Sequence, residues 1–534
     1  MTRNWLTWFF FLLFSGSLAA EQVPSSKAPF SELSISGSPA AAQVSSVRSS
    51  SQVSSSDSPV PNLGIDDVFL WLAGGISNAR IERLANLGAG QVHLSCHVTP
   101  TCARTLEKAG AAPTLIHQLA GAGLQATVHQ NSNHRPAEST ACNCASAEAN
   151  IAVLAHADQL KAAETSVRDL LRNQPKDSSL LFVLGAILRR QERFDEALDA
   201  FTDSLHLKPS FPETHSQLSY LFYRTDDSDY ALAEARTALS IDPKNAEAYR
   251  YLGLAHYAGG NYQAALTAFD ESLEREADNA DVYFDIGITQ RDKGDLRRAA
   301  IAYRHALALR PEFWQAHSNL GVVLRDQGKL DDAIAEYRAA LRLKPDDASV
   351  RNNLGNTLCD KEDFSAAIDE FAALYRDTPD WEGGHNCLAR AYMSRRDYPA
   401  AIRELRAAIA ANPAGAAEYR VLGQALLLTG QDREAVEILR KAVELNPGSA
   451  LAHHYLGTAL VNTQDLPGAE RELREALRLE PTAENHYSLA ACLMALNRYE
   501  EALGELETAS RLDPKQNLYR ARMQEAARMV TTSK

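Results

Sequence analysis

Positive charge is in deficit in this 534-residue chain, where 68 acidic side chains stand against 54 basic ones for a formal net charge of -14, with both signs interspersed. Binding along a nucleic-acid backbone needs clustered cations that release counterions, so this composition argues against nucleic-acid partners. An anionic membrane surface is unattractive for the same reason. After the first twenty residues no apolar run approaches the ~20 residues that a membrane-crossing helix needs. Tryptophan and cysteine are scarce while alanine and leucine abound, which favours packed helices over sheets. Catalytic signatures are missing as well. No nucleophile elbow, no Gly-x-Gly-x-x-Gly and no His-Glu-x-x-His occurs. His317 or the pair His453-His454 could be nominated as bases. Yet His215, His317, His385, His453 and His486 recur at one position of a repeating pattern, where a neutral, packed ring is the expectation. No catalytic residue, cofactor or metal is expected.

The amino-terminal end differs from the rest. Arg3, the apolar run from Trp5 to Phe14 and the small residues Ser17-Leu18-Ala19-Ala20 have the layout of an export signal over 1–20. An uncleaved amino-terminal membrane anchor is the alternative. Residues 21–62, rich in serine, alanine and proline, hold too little apolar area to offset the entropy of ordering, so a disordered linker is expected. Residues 64–125 read as a small helical domain with a duplicated unit: Gly75-Ile76-Ser77 with Ile81, Leu84 and Ala85 is echoed by Gly110-Ala111-Ala112 with Ile116, Leu119 and Ala120. Ser77 is placed as an N-cap, and Thr99-Pro100 opens another helix. A second linker follows over 126–145. Cys96, Cys102, Cys142 and Cys144 are the candidate disulfide cysteines and can form one or two bridges of open pairing; packing against a partner or a Cys96–Cys102 bridge would support the small domain. A metal site built on Cys142 and Cys144 with His97, His129 and His134 lacks the usual two-residue spacing between thiolates.

From there a period of 34 governs the chain. Prolines stand at 175, 209, 243, 311, 345, 379, 413, 447 and 481, with Ala277 at the missing step and Pro514 one residue early. Twelve residues before each boundary from 209 onward lies an alanine, from Ala197 to Ala502, and an earlier helix carries Leu-Gly or Ile-Gly at 184–185, 252–253, 286–287, 320–321, 354–355, 422–423 and 456–457. A mid-helix glycine costs about 1 kcal/mol of propensity against alanine, so its recurrence implies that paired helices approach closely there. Phe201, Phe269, Tyr303, Tyr337 and Phe371 are expected to fill the space between successive hairpins.

The pattern, for example Tyr283, Ile286-Gly287, Ala299, Tyr303, Ala306 and Pro311, resembles the tetratricopeptide repeat family, as found in exported bacterial proteins. The resemblance implies an all-α fold: a right-handed superhelical solenoid of about ten helical hairpins over 178–514. A degenerate first repeat is expected at 146–177. A capping helix over 515–534 should bury Leu518, Met523 and Met529 while Arg520, Arg522 and Arg528 face water. It further implies a concave wall built from the first helix of each hairpin. On that wall Phe284, Arg291, Arg325, Asn352, Asn353, Asn356, Asn386, Arg390, Arg420 and Gln424 are the candidate partner-binding residues, because amides and guanidinium groups can bond the carbonyls of an extended peptide. Asn319 and Asn353 resemble an asparagine ladder seen in the repeat domain of protein O-GlcNAc transferases, broken here by Asp285, Cys387, Val421 and Tyr455. Phe182, Arg189, Tyr220, Tyr223, Tyr257 and Phe284 form an aromatic and basic patch of the composition found at interface anchors.

The expected activity is that of a non-catalytic protein–protein interaction scaffold, exported to the periplasm or beyond, that binds a protein or extended peptide in the concave groove. The alternative is a structural spacer or assembly factor of a cell-envelope complex, docking through residues 64–125.

Overall fold

A computed structural model describes residues 65–84, 94, 96, 98–120 and 141–532. The expected signal at 1–20 and linker at 21–62 lie outside the described residues, as does the linker segment 126–140. Every regular element among the described residues is a helix. The chain divides into two compact units, one running to Val323 and one starting at Leu324, with helix Trp314–Asp326 at the division.

The amino-terminal unit begins with α1 (Ile65–Ala73), α2 (Asn78–Leu84), α3 (Pro100–Lys108) and α4 (113–120). Ser77 Oγ accepts from the Arg80 amide at 3.2 Å, and Thr99 caps α3 with Pro100 in its first turn. The two turns of the duplicated unit are joined: Asn78 Nδ2 donates to the Gly110 carbonyl (3.2 Å), and the Ala112 amide donates to Asn78 Oδ1 (2.8 Å). Both turns contain a glycine with positive φ, Gly75 at 78° and Gly110 at 91°. These helices do not bury a separate core. Ile65, Phe69, Ile81, Leu106 and Leu115 belong to one apolar cluster with Ile151, Val167, Phe182 and Phe201.

Helices α5 (Ala147–His156) and α6 (Leu160–Asn173) follow. Next come four hairpins whose first helices are Ser178–Arg190, Pro212–Arg224, Ala246–Ala258 and Ala280–Asp292. Their second helices are Phe194–Leu207, Ser228–Ile241, Tyr262–Arg275 and Leu296–Leu309. The carboxy-terminal unit continues the alternation from Leu330–Leu343, through first helices Ala348–Asp360, His385–Ser394, Ala416–Leu428, Ala450–Asn462 and Ala483–Ala495, to Asn517–Thr532.

Asp177, Asn245, Asn279, Asp347, Ser449 and Thr482 each cap a first helix through a side-chain oxygen, satisfying amides that the helix leaves open. The residue before most boundary prolines is extended, as the proline ring requires; Lys344 has φ -135° and ψ 85°. Every turn between first and second helix holds one residue in the left-handed region, at 158, 192, 226, 260, 294, 328, 362, 396, 430, 464 and 497. Only four of the eleven are glycine, so composition alone did not reveal this second 34-residue rhythm.

The recurrent glycine does what its position implied, but its partner differs from expectation. A Cβ added to Gly185 would lie 2.7 Å from the ring of Phe201, and one added to Gly355 would lie 2.7 Å from that of Phe371. Phe201, Phe269, Tyr303 and Phe371 therefore sit in the glycine notch of their own hairpin, and Phe371 also reaches the next hairpin, where a Cβ added to Gly384 would run into its ring. Sixteen residues separate ring and notch, the distance across one turn between antiparallel helices. The final helix buries Tyr519 and Ala526, with Leu518 and Met523 partly buried. Met529 is exposed at 39% and Arg522 lies against the protein beside Glu525, which reverses both expected orientations, because the buried stripe runs through 519, 523 and 526.

Candidate functional site

In the carboxy-terminal unit several of the candidate residues stand on successive first helices. Asn356 and Gln424 are half-buried on Ala348–Asp360 and Ala416–Leu428. Arg390 is exposed on the helix between them, with Asp360 3.9 Å away as its ionic neighbour. Arg325 reaches the same Asp360 at 2.7 Å, so one carboxylate is shared by two guanidinium groups. Asn353 and Arg420 are half-buried beside this row. Other members are already engaged. Asn352 Oδ1 accepts from the Trp381 indole at 3.4 Å, and Asn386 Nδ2 donates to Glu418 at 2.8 Å.

A covalent bond crosses this wall. Cys359 and Cys387, on consecutive first helices, form a disulfide with Cα atoms 5.8 Å apart. This pair was not foreseen from the sequence. Their 28-residue separation becomes proximity only once neighbouring first helices stack. The four candidate cysteines form two disulfides, Cys96 with Cys142 and Cys102 with Cys144, so the Cys96–Cys102 bridge is not formed. The short Cys142–Cys144 segment runs beside the start of α3 and takes one partner from each side. Cys492 is the free thiol among these residues, buried, with burial pushing its pKa up to about 11.

In the amino-terminal unit the inner face is differently equipped. Phe182 is core, not an anchor: it is 1% exposed and packs against Phe201 and Phe211 at centroid distances of 5.8 and 5.2 Å. Phe284 lies against Phe313 (4.8 Å) and Tyr303 (5.8 Å) inside the stack. Arg291 donates to Asp292 at 2.9 Å and to Asn319 at 3.4 Å. Tyr257 donates to Asp292 at 2.5 Å, and Arg189 stacks on Tyr220 at 4.9 Å. Beneath them runs a buried polar network. Arg250 donates to Asp285 at 2.6 Å, and Glu247 accepts from Tyr251 at 2.7 Å and from Gln217 at 3.1 Å. Burial pushes the Asp285 and Glu247 carboxyls above their usual range.

Four of the five recurrent histidines, at 215, 385, 453 and 486, each face a carboxylate of their own hairpin. His215 Nδ1 faces Glu234 Oε2 at 2.6 Å while Nε2 faces the Pro209 carbonyl at 3.1 Å; His453 repeats both contacts with Glu472 (2.7 Å) and Pro447 (3.1 Å). At His215 acceptors face both ring nitrogens, an arrangement that favours the doubly protonated ring. Arg351, at the same position, bonds the equivalent pair, Glu370 at 3.3 Å and Pro345 at 2.7 Å. For His215 burial opposes protonation, but the Glu234 carboxylate and the Pro209 carbonyl outweigh it and hold the pKa above its ordinary value. These clasps tie the two helices of a hairpin together and face no groove, which leaves them a structural part.

The family pattern described as tetratricopeptide repeat matches residues 154–211, 217–281, 284–348, 323–381, 388–450 and 456–517, well over half of the chain. No curated protein matches. Solved structures similar to parts of the chain include PilF of Pseudomonas aeruginosa, at 20% identity over 38% of this chain and 92% of that one, with a TM-score of 0.35. PilW, described as a type IV pilus biogenesis factor, shows 20% identity over 38% and 95%, with a TM-score of 0.36. YrrB, described as having an unusual peptide-binding site, shows 23% identity over 36% and 98%, with a TM-score of 0.30. At those values they speak to the helical repeat alone. The 34-residue frame, the glycine notches filled from within each hairpin and the matches from 154 to 517 make this chain a member of the tetratricopeptide repeat family.

Proposed function

We propose that this protein is a non-catalytic scaffold that holds an extended segment of a partner protein against the inner face of its carboxy-terminal unit. Tetratricopeptide repeats are generally protein-interaction scaffolds, and the finer assignment rests on one observation. Asn356, Arg390 and Gln424 stand on three consecutive first helices, half-buried or exposed, whereas Arg250, Tyr251 and Gln217 of the amino-terminal unit donate to carboxylates within the chain. Amides at such spacing can donate to and accept from the backbone of a bound chain, and Arg390 can add a charged anchor. The pairing of six cysteines supports an oxidising compartment and hence export.

The test is affinity capture from crosslinked envelope fractions with the full-length protein, comparing the wild type with an Asn356→Ala, Arg390→Ala, Gln424→Ala variant. Loss of the captured partner at unchanged helicity is the expected result. Undiminished recovery of the same partner by the triple variant rejects the assignment.

A further inference from the structure

Helix α2 brings a second feature to the amino-terminal unit. Arg80 is 8% exposed. Its Nε donates to Glu213 Oε1 at 2.8 Å, one terminal nitrogen lies 2.7 Å from the same oxygen, and the other forms an ion pair with Asp242. Ser77, just before α2, donates to Glu276 Oε2 at 3.1 Å. Glu213 stands in the first turn of Pro212–Arg224. Asp242 and Glu276 end the second helices Ser228–Ile241 and Tyr262–Arg275, where the helix dipole adds partial negative charge. The three carboxylates therefore come from successive repeats and converge on one short segment.

The site and its occupant are unequally matched. Glu213 Oε2 and Gln217 Oε1 are buried without a hydrogen-bond partner, on side chains 1% and 2% exposed. The acceptor capacity thus exceeds what Arg80 uses. On the occupant side, Arg83 Nε and one terminal nitrogen are also buried without partners. Burial first, then repulsion from Arg80, holds the Arg83 guanidinium below its ordinary value. A half-buried cation with two open buried donors is costly to keep, so the site favours one arginine of this segment and tolerates the other at a penalty. Ile81, beside Arg80, is fully buried and supplies an apolar anchor next to the charged one.

We propose that Glu213, Asp242 and Glu276 form a receptor site for an arginine adjacent to a large aliphatic residue on a short segment of a partner protein, and that residues 77–83 are its resident internal ligand, displaced when the partner binds. This site differs in place and chemistry from the row at Asn356, Arg390 and Gln424, so either can fail without the other.

The probe is a fluorescent synthetic peptide with the sequence of residues 74–84 carrying Arg83→Ala, titrated into full-length protein and read by anisotropy. Wild type, with the site occupied, should bind it weakly. Full-length Arg80→Ala should bind it at least tenfold more tightly, and adding Glu213→Gln should abolish the gain. A peptide that also carries Arg80→Ala should not bind. Equal binding by wild type and Arg80→Ala, or binding that survives Glu213→Gln, overturns the proposal. Should Arg80→Ala lose its helicity, hydrogen exchange of the wild type with saturating peptide decides. Faster exchange at 77–84, with Pro212–Arg224 still protected, is the expected outcome, and an unchanged pattern is the overturning one.

Discussion

The inner faces of the two units are built on the same 34-residue frame and have opposite economies of polar contacts. In the amino-terminal unit Arg80, Arg250 and Tyr251 meet Glu213, Asp285 and Glu247, so most of the donors there already have an acceptor within the chain. In the carboxy-terminal unit Asn356 and Gln424 are half-buried, and Arg390 is exposed with Asp360 3.9 Å away. A repeat frame thus fixes where side chains project and leaves open whether they serve the fold or another molecule. The difference lies in pairs between repeats, not in the composition of any one repeat.

The comparison sharpens most at the Cys359–Cys387 bond, which has no counterpart on the inner face of the amino-terminal hairpins. Replacing both cysteines with serine should cost about 3 kcal/mol of local stability, the size expected for a closed loop of this length. It should appear as faster hydrogen exchange in Ala348–Asp360 and His385–Ser394 and nowhere before 324. Exchange unaltered there would mean that packing alone holds those helices together.

The shared frame can be broken in both units at once. Gly185→Ala and Gly355→Ala each drive a methyl group to the same distance from a buried ring, so each should cost about 2 kcal/mol, read from the exchange of its own hairpin. A large loss in one unit and none in the other would show that the notch is not a common structural element.

The smallest effect distinguishes His215 from Arg351, which make the same clasp with a titratable and a permanent cation. The folded-state pKa of His215 is raised. Its stabilisation is therefore complete below the unfolded value of ~6.5 and is lost as pH climbs through the higher folded value. Exchange in Pro212–Arg224, corrected for intrinsic rate, should accelerate between pH 6 and pH 9, while Ala348–Asp360 should not follow. His215→Arg should flatten the response. A parallel change in both helices would remove the clasp as its cause.

Much of the fold was legible because its signals are local and periodic. Leu-Gly pairs, boundary prolines and alanines repeat in register, and each reflects sterics within one hairpin. The glycine notch that Phe201 fills within its own hairpin was not foreseen, because sequence spacing gives distance along the chain, not which of two nearby surfaces a ring meets. Asn386 was read as an open donor although Glu418, thirty-two residues on, takes it. Cys387 was read as a broken rung of the ladder, whereas it is bonded to Cys359. The seating of Arg80 between Glu213 and Asp242 had no sequence signal, since it joins a segment outside the repeats to acids that look like ordinary surface residues.

The disulfide has a mechanical consequence. Pulled from its two ends, a stack of hairpins lengthens as each one unravels, yet the stretch from Cys359 to Cys387, with a sequence separation of 28, is bypassed by the bond. Roughly 95 Å of contour is thereby withheld from extension at ~3.4 Å per residue. Under tension this part of the carboxy-terminal unit would act as a fixed link, and adding a reductant would release that length as a discrete step.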